Sequence, residues 1–131
     1  MKTFTVLVIE DNPFTREIVR ITLSSSGFEV LEAPDGRVGL SLMAEHRPDL
    51  ILQDLVLPDI DGVNLLRRLR AFPGGEKTPI LAFSAFGSEL REMREWNAGF
   101  SEYLEKPIEP EELLAIVKRY AERAQTAQGE A

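Results

Sequence analysis

The chain has no cysteine, one histidine and one tryptophan among its 131 residues. Without cysteine there is no disulfide framework and no thiolate metal site. The lone His46 stands beside Arg47 and Pro48 at an expected helix end and reads as exposed; it supports neither a histidine-rich metal site nor a relay of phosphohistidines. No apolar run approaches the roughly 20 residues needed to cross a bilayer, so membrane insertion is not expected. Lys2 leads straight into a short strand-like run rather than the apolar segment of a secretory signal. These absences fit a cytoplasmic location. Positive charge is in the minority: 15 Lys and Arg against 22 Asp and Glu give a net charge of -7. A domain of that balance is a poor direct binder of nucleic acid.

What remains is an ordinary soluble composition in a length suited to one core. Residues 1–122 read as one domain and 123–131 as a frayed tail, the fade beginning near Ala121. The β-branched, apolar run Thr3 to Ile9 predicts a strand. Asn12 followed by Pro13 predicts a helix start, with a capping side chain and then proline at the first helical position. Phe14, Ile18, Val19 and Leu23 recur at helical spacing until Gly27 stops the helix. Phe28 to Ala33 is a second strand. Asp35 caps a helix carrying Val38, Leu40, Leu42 and Met43, which ends near His46 and Pro48.

The stretch from Leu50 to Gly62 organises the rest. A short apolar strand ends on Asp54, and a turn with Pro58 and Gly62 follows. An ionised carboxylate there needs a partner, so Asp54 is either a strand-end turn residue or a functional acid. Asp61 reads as the cap of a helix with Val63, Leu65, Leu66 and Leu69, broken by Pro73, Gly74 and Gly75; Asp59 reads as solvent-facing. Pro79 to Phe83 is a fourth strand ending at Ser84. Ser88 is the expected cap of a helix with Leu90, Met93 and Trp96, the last partly exposed, stopped near Gly99. Tyr103 and Leu104 form a short fifth strand. Glu109 and Pro110 repeat the cap-then-proline start for a helix with Leu113, Leu114, Ile116 and Val117.

Five strands alternating with five helices predict an α/β fold, a parallel sheet with helices on both faces. Ligands of such sheets sit beyond the C-terminal strand ends. There the chain places Glu10 and Asp11, Asp54, Ser84, and Lys106 before Pro107. Three carboxylates in one pocket repel one another. A hard divalent cation such as Mg²⁺ removes that repulsion and often shares its shell with a phosphoryl group. A carboxylate beside such a metal and a lysine can act as a nucleophile toward a phosphoryl donor. The metal, Lys106 and the Ser84 hydroxyl would then stabilise the transferring group's oxygens.

Glu10-Asp11, Asp54 with Pro58 and Asp61-Gly62 after it, Ser84-Ala85, and Tyr103-Leu104-Glu105-Lys106-Pro107 together resemble the receiver domain of two-component response regulators, over roughly Thr3 to Tyr120. The resemblance implies a flavodoxin-like, doubly wound (βα)5 fold with strand order 2-1-3-4-5. It implies that Asp54 is the phosphoacceptor and that Glu10, Asp11, Asp54 and the backbone carbonyl of Val56 hold Mg²⁺. Ser84 would be the switch hydroxyl and Tyr103 the aromatic switch. Lys106 would contact the phosphoryl group, and the Lys106-Pro107 bond would be cis. Val56 and Phe86 would tune the phosphoryl lifetime; both are apolar, which predicts slow self-dephosphorylation. The donor would be a histidine kinase or a histidine phosphotransfer protein. A downstream protein target would bind the surface of the fourth helix, fifth strand and fifth helix, with a phosphorylation-dependent homodimer as a further option. The expected protein is a stand-alone receiver, or equally a receiver cut from a longer chain, and a switch rather than a turnover enzyme.

Three positions depart from the commonest pattern: Ser84 where threonine is frequent, Gln53 before Asp54, and Phe100 after Ala98-Gly99. Other readings compete. A pseudo-receiver would be a constitutive interaction module that is never phosphorylated. An aspartate-nucleophile phosphohydrolase wants a second Asp where Val56 stands. A flavin carrier needs a phosphate loop that Glu10-Asp11-Asn12-Pro13 would repel, and a calcium loop needs ligands that Asp59-Ile60-Asp61-Gly62 lacks.

Overall fold

The computed structural model describes residues 3–129. Five strands alternate with five helices: β1 (Thr5–Ile9), α1 (Pro13–Ser24), β2 (Glu29–Ala33), α2 (Gly36–His46), β3 (Leu50–Asp54), α3 (Gly62–Arg70), β4 (Ile80–Ser84), α4 (Gly87–Glu95), β5 (Glu102–Glu105) and α5 (Pro110–Gly129). The strands form one parallel sheet in the order β2-β1-β3-β4-β5, as expected.

Strand alternation divides the core in two. Leu7, Ile9, Ile51, Ile80 and Ala82 face a layer built from Met43 of α2, Leu65, Leu66 and Leu69 of α3, and Leu90 and Met93 of α4. Val6, Val8, Leu50, Leu52, Leu81 and Phe83 face Val19 and Leu23 of α1 and Leu113, Ile116 and Val117 of α5. Each fully buried Val, Leu, Ile, Phe or Met side chain among them contributes about 1.5–3 kcal/mol. The three central strands are covered on both sides, which is why they read as continuous apolar runs.

The helix starts follow the sequence closely at α1, α2 and α3. Asn12 Oδ1 accepts from the amides of Phe14 and Thr15, Asp35 Oδ1 from Val38, and Asp61 Oδ1 from Asn64. Gly27, with φ of 90°, ends the α1 turn in a conformation that penalises any Cβ. At α4 the expectation fails. The helix begins at Gly87, with Phe86 at the cap position and no side-chain cap bond, so Ser88 lies inside its first turn. The physical reason is local: Ser84 Oγ accepts the Phe86 amide at 3.1 Å and closes the turn before Ser88 is reached. At the other end of the chain, α5 runs past the expected fray at Ala121 to Gly129. Ala, Glu, Arg and Gln there are good helix formers, and no proline or glycine interrupts them earlier.

One periodicity was misleading. Phe14 and Ile18 share the helical spacing of Val19 and Leu23, yet they are 75% and 57% exposed. Only one side of α1 reaches the sheet and α5; the other carries an apolar stripe, continued by Ile21, that no described element covers.

Candidate functional site

Parallel register sets the strand ends level. Ile9 stands beside Gln53, Asp54 beside Phe83, and Ser84 beside Glu105. The residue that ends or follows each strand therefore opens on one edge of the sheet. The buried polar and charged residues there are Glu10, Gln53, Asp54 and Ser84.

Glu10, 1% exposed, is held from two sides. Its Oε2 accepts the Asn12 amide at 3.0 Å, and its Oε1 forms a short ion pair with the Lys106 ammonium. Arg16 Nη1 donates to the Glu10 carbonyl at 2.8 Å, a tie that sequence spacing did not reveal. Asp54, 5% exposed, accepts the Val56 amide on Oδ1 at 3.0 Å and meets Lys106 Nζ at 3.2 Å on Oδ2. Lys106 thus bridges both buried acids, with its ammonium 5.0 Å from the centre of the Phe83 ring. Burial pulls its pKa down, but the hydrogen bond it donates to Glu10 and the charges of Asp54 and Glu10 outweigh that, and it lies above the ordinary lysine value. The Lys106-Pro107 peptide is cis.

Oxygens of Glu10, Asp11 and Asp54 lie within 4.8 Å of one another, with Asp11 exposed at the pocket mouth. Against these three carboxylates stands one ammonium, shared by Glu10 and Asp54, so the pocket carries two negative charges in excess and Asp11 has no ion-pair partner among the described residues. An all-oxygen donor set of that charge suits a hard divalent cation that keeps part of its water. The Val56 peptide lies beside the set, through the hydrogen bond its N–H donates to Asp54.

Ser84 is fully buried, its Oγ occupied by the Phe86 amide. Val56 and Phe86 are exposed apolar residues, placed two after Asp54 and two after Ser84. Tyr103 lies against α4 rather than among the acids: its hydroxyl donates to the Met93 carbonyl at 3.4 Å, and Arg94 lies over its ring. Phe100 packs edge-on against Tyr103 with ring centres 5.7 Å apart, which gives that unusual residue a role under α4. His46 and Trp96 are exposed, as read.

Asp59 is solvent-facing, as its sequence context suggests, and it has a further role. It is exposed, but its carboxylate is not idle: Oδ1 accepts the Gly36 amide at 3.0 Å and Oδ2 the Arg37 amide at 2.9 Å, at the N-terminus of α2. Partial burial raises its pKa, but these backbone bonds and the Arg37 charge prevail, and the net shift is downward.

The chain is thus a doubly wound α/β domain that gathers carboxylates and a lysine at the C-terminal edge of its sheet, where ligands of such sheets bind. Residues 6–118 match the family model of the response regulator receiver domain. The chain belongs to that family. It is 36% identical over 115 residues to a 14.6 kDa protein in the sodA1 3′ region of Leptolyngbya boryana, an alignment covering 88% of each chain. It is 36% identical to the DNA-binding dual master transcriptional regulator RpaA of a Synechocystis species, covering 90% of this chain and 49% of that one. The chain spans about half the length of that regulator and of the MprA response regulators it also matches. Among solved structures, the chemotaxis response regulator CheY4 of Vibrio cholerae superposes with a TM-score of 0.81 at 31% identity, covering 91% of this chain and 99% of that one. A response regulator from Chloroflexus aurantiacus gives 0.82 at 34%, covering 91% and 98%. Among the described residues, no helix is long and apolar enough to cross a membrane.

Proposed function

We propose that this receiver is a phosphoryl-accepting switch whose acceptor is Asp54. The observation that carries the reading is the setting of Asp54: a buried carboxylate, held by the Val56 amide and the Lys106 ammonium, with an oxygen within 4.8 Å of oxygens of Glu10 and Asp11. A carboxylate oxygen of Asp54 attacks phosphorus in a phosphohistidine donor. The P–O bond forms as the P–N bond breaks, and the electron pair leaves with the imidazole nitrogen, which takes up a proton. Lys106 stabilises the charge on the phosphoryl oxygens. Glu10, Asp11, Asp54 and the Val56 carbonyl would hold Mg²⁺, which when bound offsets the charge of the acids and of the incoming phosphoryl group. Ser84 then exchanges its bond to the Phe86 amide for one to the phosphoryl group, and Tyr103 gives up Met93 and moves inward.

That rearrangement alters α4, β5 and α5, where a target protein reads it. Trp96, 69% exposed on this side, is an anchor for such a target. The donor is a histidine kinase or phosphotransfer protein. A groove of about 160 Å³ lined by Thr15, Ile18, Thr22, Pro107, Ile108 and Pro110 adjoins Lys106, and the exposed Phe14–Ile18 stripe borders it. A donor bringing phosphohistidine to Asp54 would cover that apolar surface. Turnover is not the role: the acyl phosphate is the signal, and the apolar side chains of Val56 and Phe86 cannot orient an attacking water.

Intact mass after incubation with Mg²⁺ and acetyl phosphate tests the reading. One phosphoryl adduct is expected on the wild type, and none on Asp54→Ala or in the absence of Mg²⁺. No adduct on a folded wild type would favour a constitutive interaction module instead.

A further inference from the structure

The loop between β3 and α3 follows Asp54 and carries Val56, and two side chains outside the acid pocket fasten it. Gln53 is fully buried, and its Nε2 donates to the Gly62 carbonyl at 2.8 Å, so the loop is closed across its base. Val56 and Asp61 pair as an isolated antiparallel bridge just above that closure. At the loop's tip, Asp59 grips the Gly36 and Arg37 amides of α2, more than twenty residues back in the chain. Packing tightens the grip, since a Cβ on Gly36 would collide with Ile60 Cγ2.

Gln53 carries a penalty that stability alone does not explain. Its Oε1 is buried with no hydrogen-bond partner among the described residues, and a buried acceptor in that condition is destabilising. Its one bond is also not needed to satisfy Gly62, whose carbonyl, in the first turn of α3, has the helical partner four residues on. An aliphatic side chain at this position would pack against the same layer as Ile9 and Ala82 and leave nothing orphaned. A residue that a fold tolerates at a loss, and that fixes one specific loop, points to positioning.

We propose that Gln53 and Asp59 are positioning residues that lock the β3–α3 loop, and so hold the Val56 peptide ready for the divalent cation. Gln53 fixes the loop's base and Asp59 its tip; neither touches the metal. The proposal rests on the metal reading given above. Partners behind a metal's direct ligands typically govern affinity by about 10–100-fold, and one-point loss from a two-point clamp falls at the lower end.

The test is Mg²⁺ titration of the unphosphorylated protein by calorimetry, with urea denaturation of every variant. Gln53→Met should bind Mg²⁺ about 10-fold more weakly while unfolding at the same or a higher urea concentration. A residue with only a packing role would give the reverse. Asp59→Ala should also weaken Mg²⁺ binding, and Asp59→Asn, which keeps one acceptor oxygen, should recover part of it. Asp35→Ala is the control: it removes the other cap of α2, the Asp35 bond to Val38, without touching the loop. It should lower stability as Asp59→Ala does and leave Mg²⁺ affinity unchanged. Wild-type affinity in both Gln53→Met and Asp59→Ala, with Asp11→Asn abolishing binding, would overturn the clamp and leave the metal site standing. No Mg²⁺ binding by the wild type would overturn the metal site and the clamp with it.

Discussion

The two edges of the sheet use polar side chains in opposite ways. At the N-terminal edge they close loops onto backbone. Asp49 Oδ2 accepts the Thr5 amide at 2.8 Å, Ser101 Oγ accepts the Ile80 amide, and Arg70 donates to the carbonyls of Gly75, Thr78 and Gly99. Each charge or hydroxyl there answers a backbone group that lacks a ladder partner. At the C-terminal edge the acids face one another, and a single lysine joins two of them. The first arrangement lowers the free energy of the fold. The second concentrates like charge in a buried place, where a metal and a phosphoryl group would find it useful. At the N-terminal edge, where a polar residue answers only backbone, structure explains it; at the C-terminal edge, where acids answer another charge at a strand end, chemistry is the better explanation.

That contrast can be broken in several places. The largest effect should come from Lys106→Met. It strips the cation from two buried carboxylates, and breaking a buried pair by removing one partner costs about 3–5 kcal/mol. The partial exposure of Lys106 puts its loss near the lower bound, about 3 kcal/mol in metal-free urea unfolding. Saturating Mg²⁺ should restore most of it. A Lys106→Met variant as stable as the wild type without Mg²⁺ would mean the acids do not depend on the lysine.

Arg70→Ala is the matching cut at the opposite edge. It removes three bonds from a charged donor to loop carbonyls, and about 2 kcal/mol should be lost. The rate of phosphorylation by acetyl phosphate should stay within twofold of the wild type. A large fall in that rate would show that the two edges are not independent.

A smaller change sharpens the picture of the C-terminal rim. Replacing Val56 by Asn and Phe86 by Glu supplies groups that can orient water near Asp54. The phosphoryl lifetime should shorten about tenfold, equivalent to roughly 1.4 kcal/mol of barrier. An unchanged lifetime, measured by decay of the mass adduct, would remove these two residues from any tuning role.

The smallest effect is a pH dependence. Asp61 has a lowered pKa, chiefly through its bond from the Asn64 amide, and Asp59 a net lowering through Gly36 and Arg37 despite its partial burial. A carboxyl lowered in the folded state stabilises it above the unfolded value, here 3.8, and that gain is lost as pH falls through the lower folded value. The urea midpoint of the wild type should therefore exceed that of Asp59→Asn by a constant margin above about pH 5. The margin should shrink below 3.8. A margin unchanged down to pH 2 would mean the ionised carboxylate is not what holds α2.

Much of this was written in the sequence. Strand–helix alternation follows from apolar period and breakers, and both are local properties of the chain. The strand-end residues Glu10, Asp11, Asp54, Ser84 and Lys106 could be assigned to one edge because a parallel sheet brings all strands out on the same side. The caps Asn12, Asp35 and Asp61 were legible for a local reason, since each bonds an amide within three residues. Tertiary structure alone decided the rest. Asp59 read only as solvent-facing because its partners, the Gly36 and Arg37 amides, lie more than twenty residues back, at the start of α2. Gln53 looked merely odd until its amide met Gly62. Phe14 and Ile18 share the helical period of Val19 and Leu23 yet are exposed, because period marks an apolar side but does not say whether a neighbour covers it. Local sequence sets conformation and the order of faces; which distant groups come within hydrogen-bond reach depends on how the elements pack, and no single stretch encodes that distance.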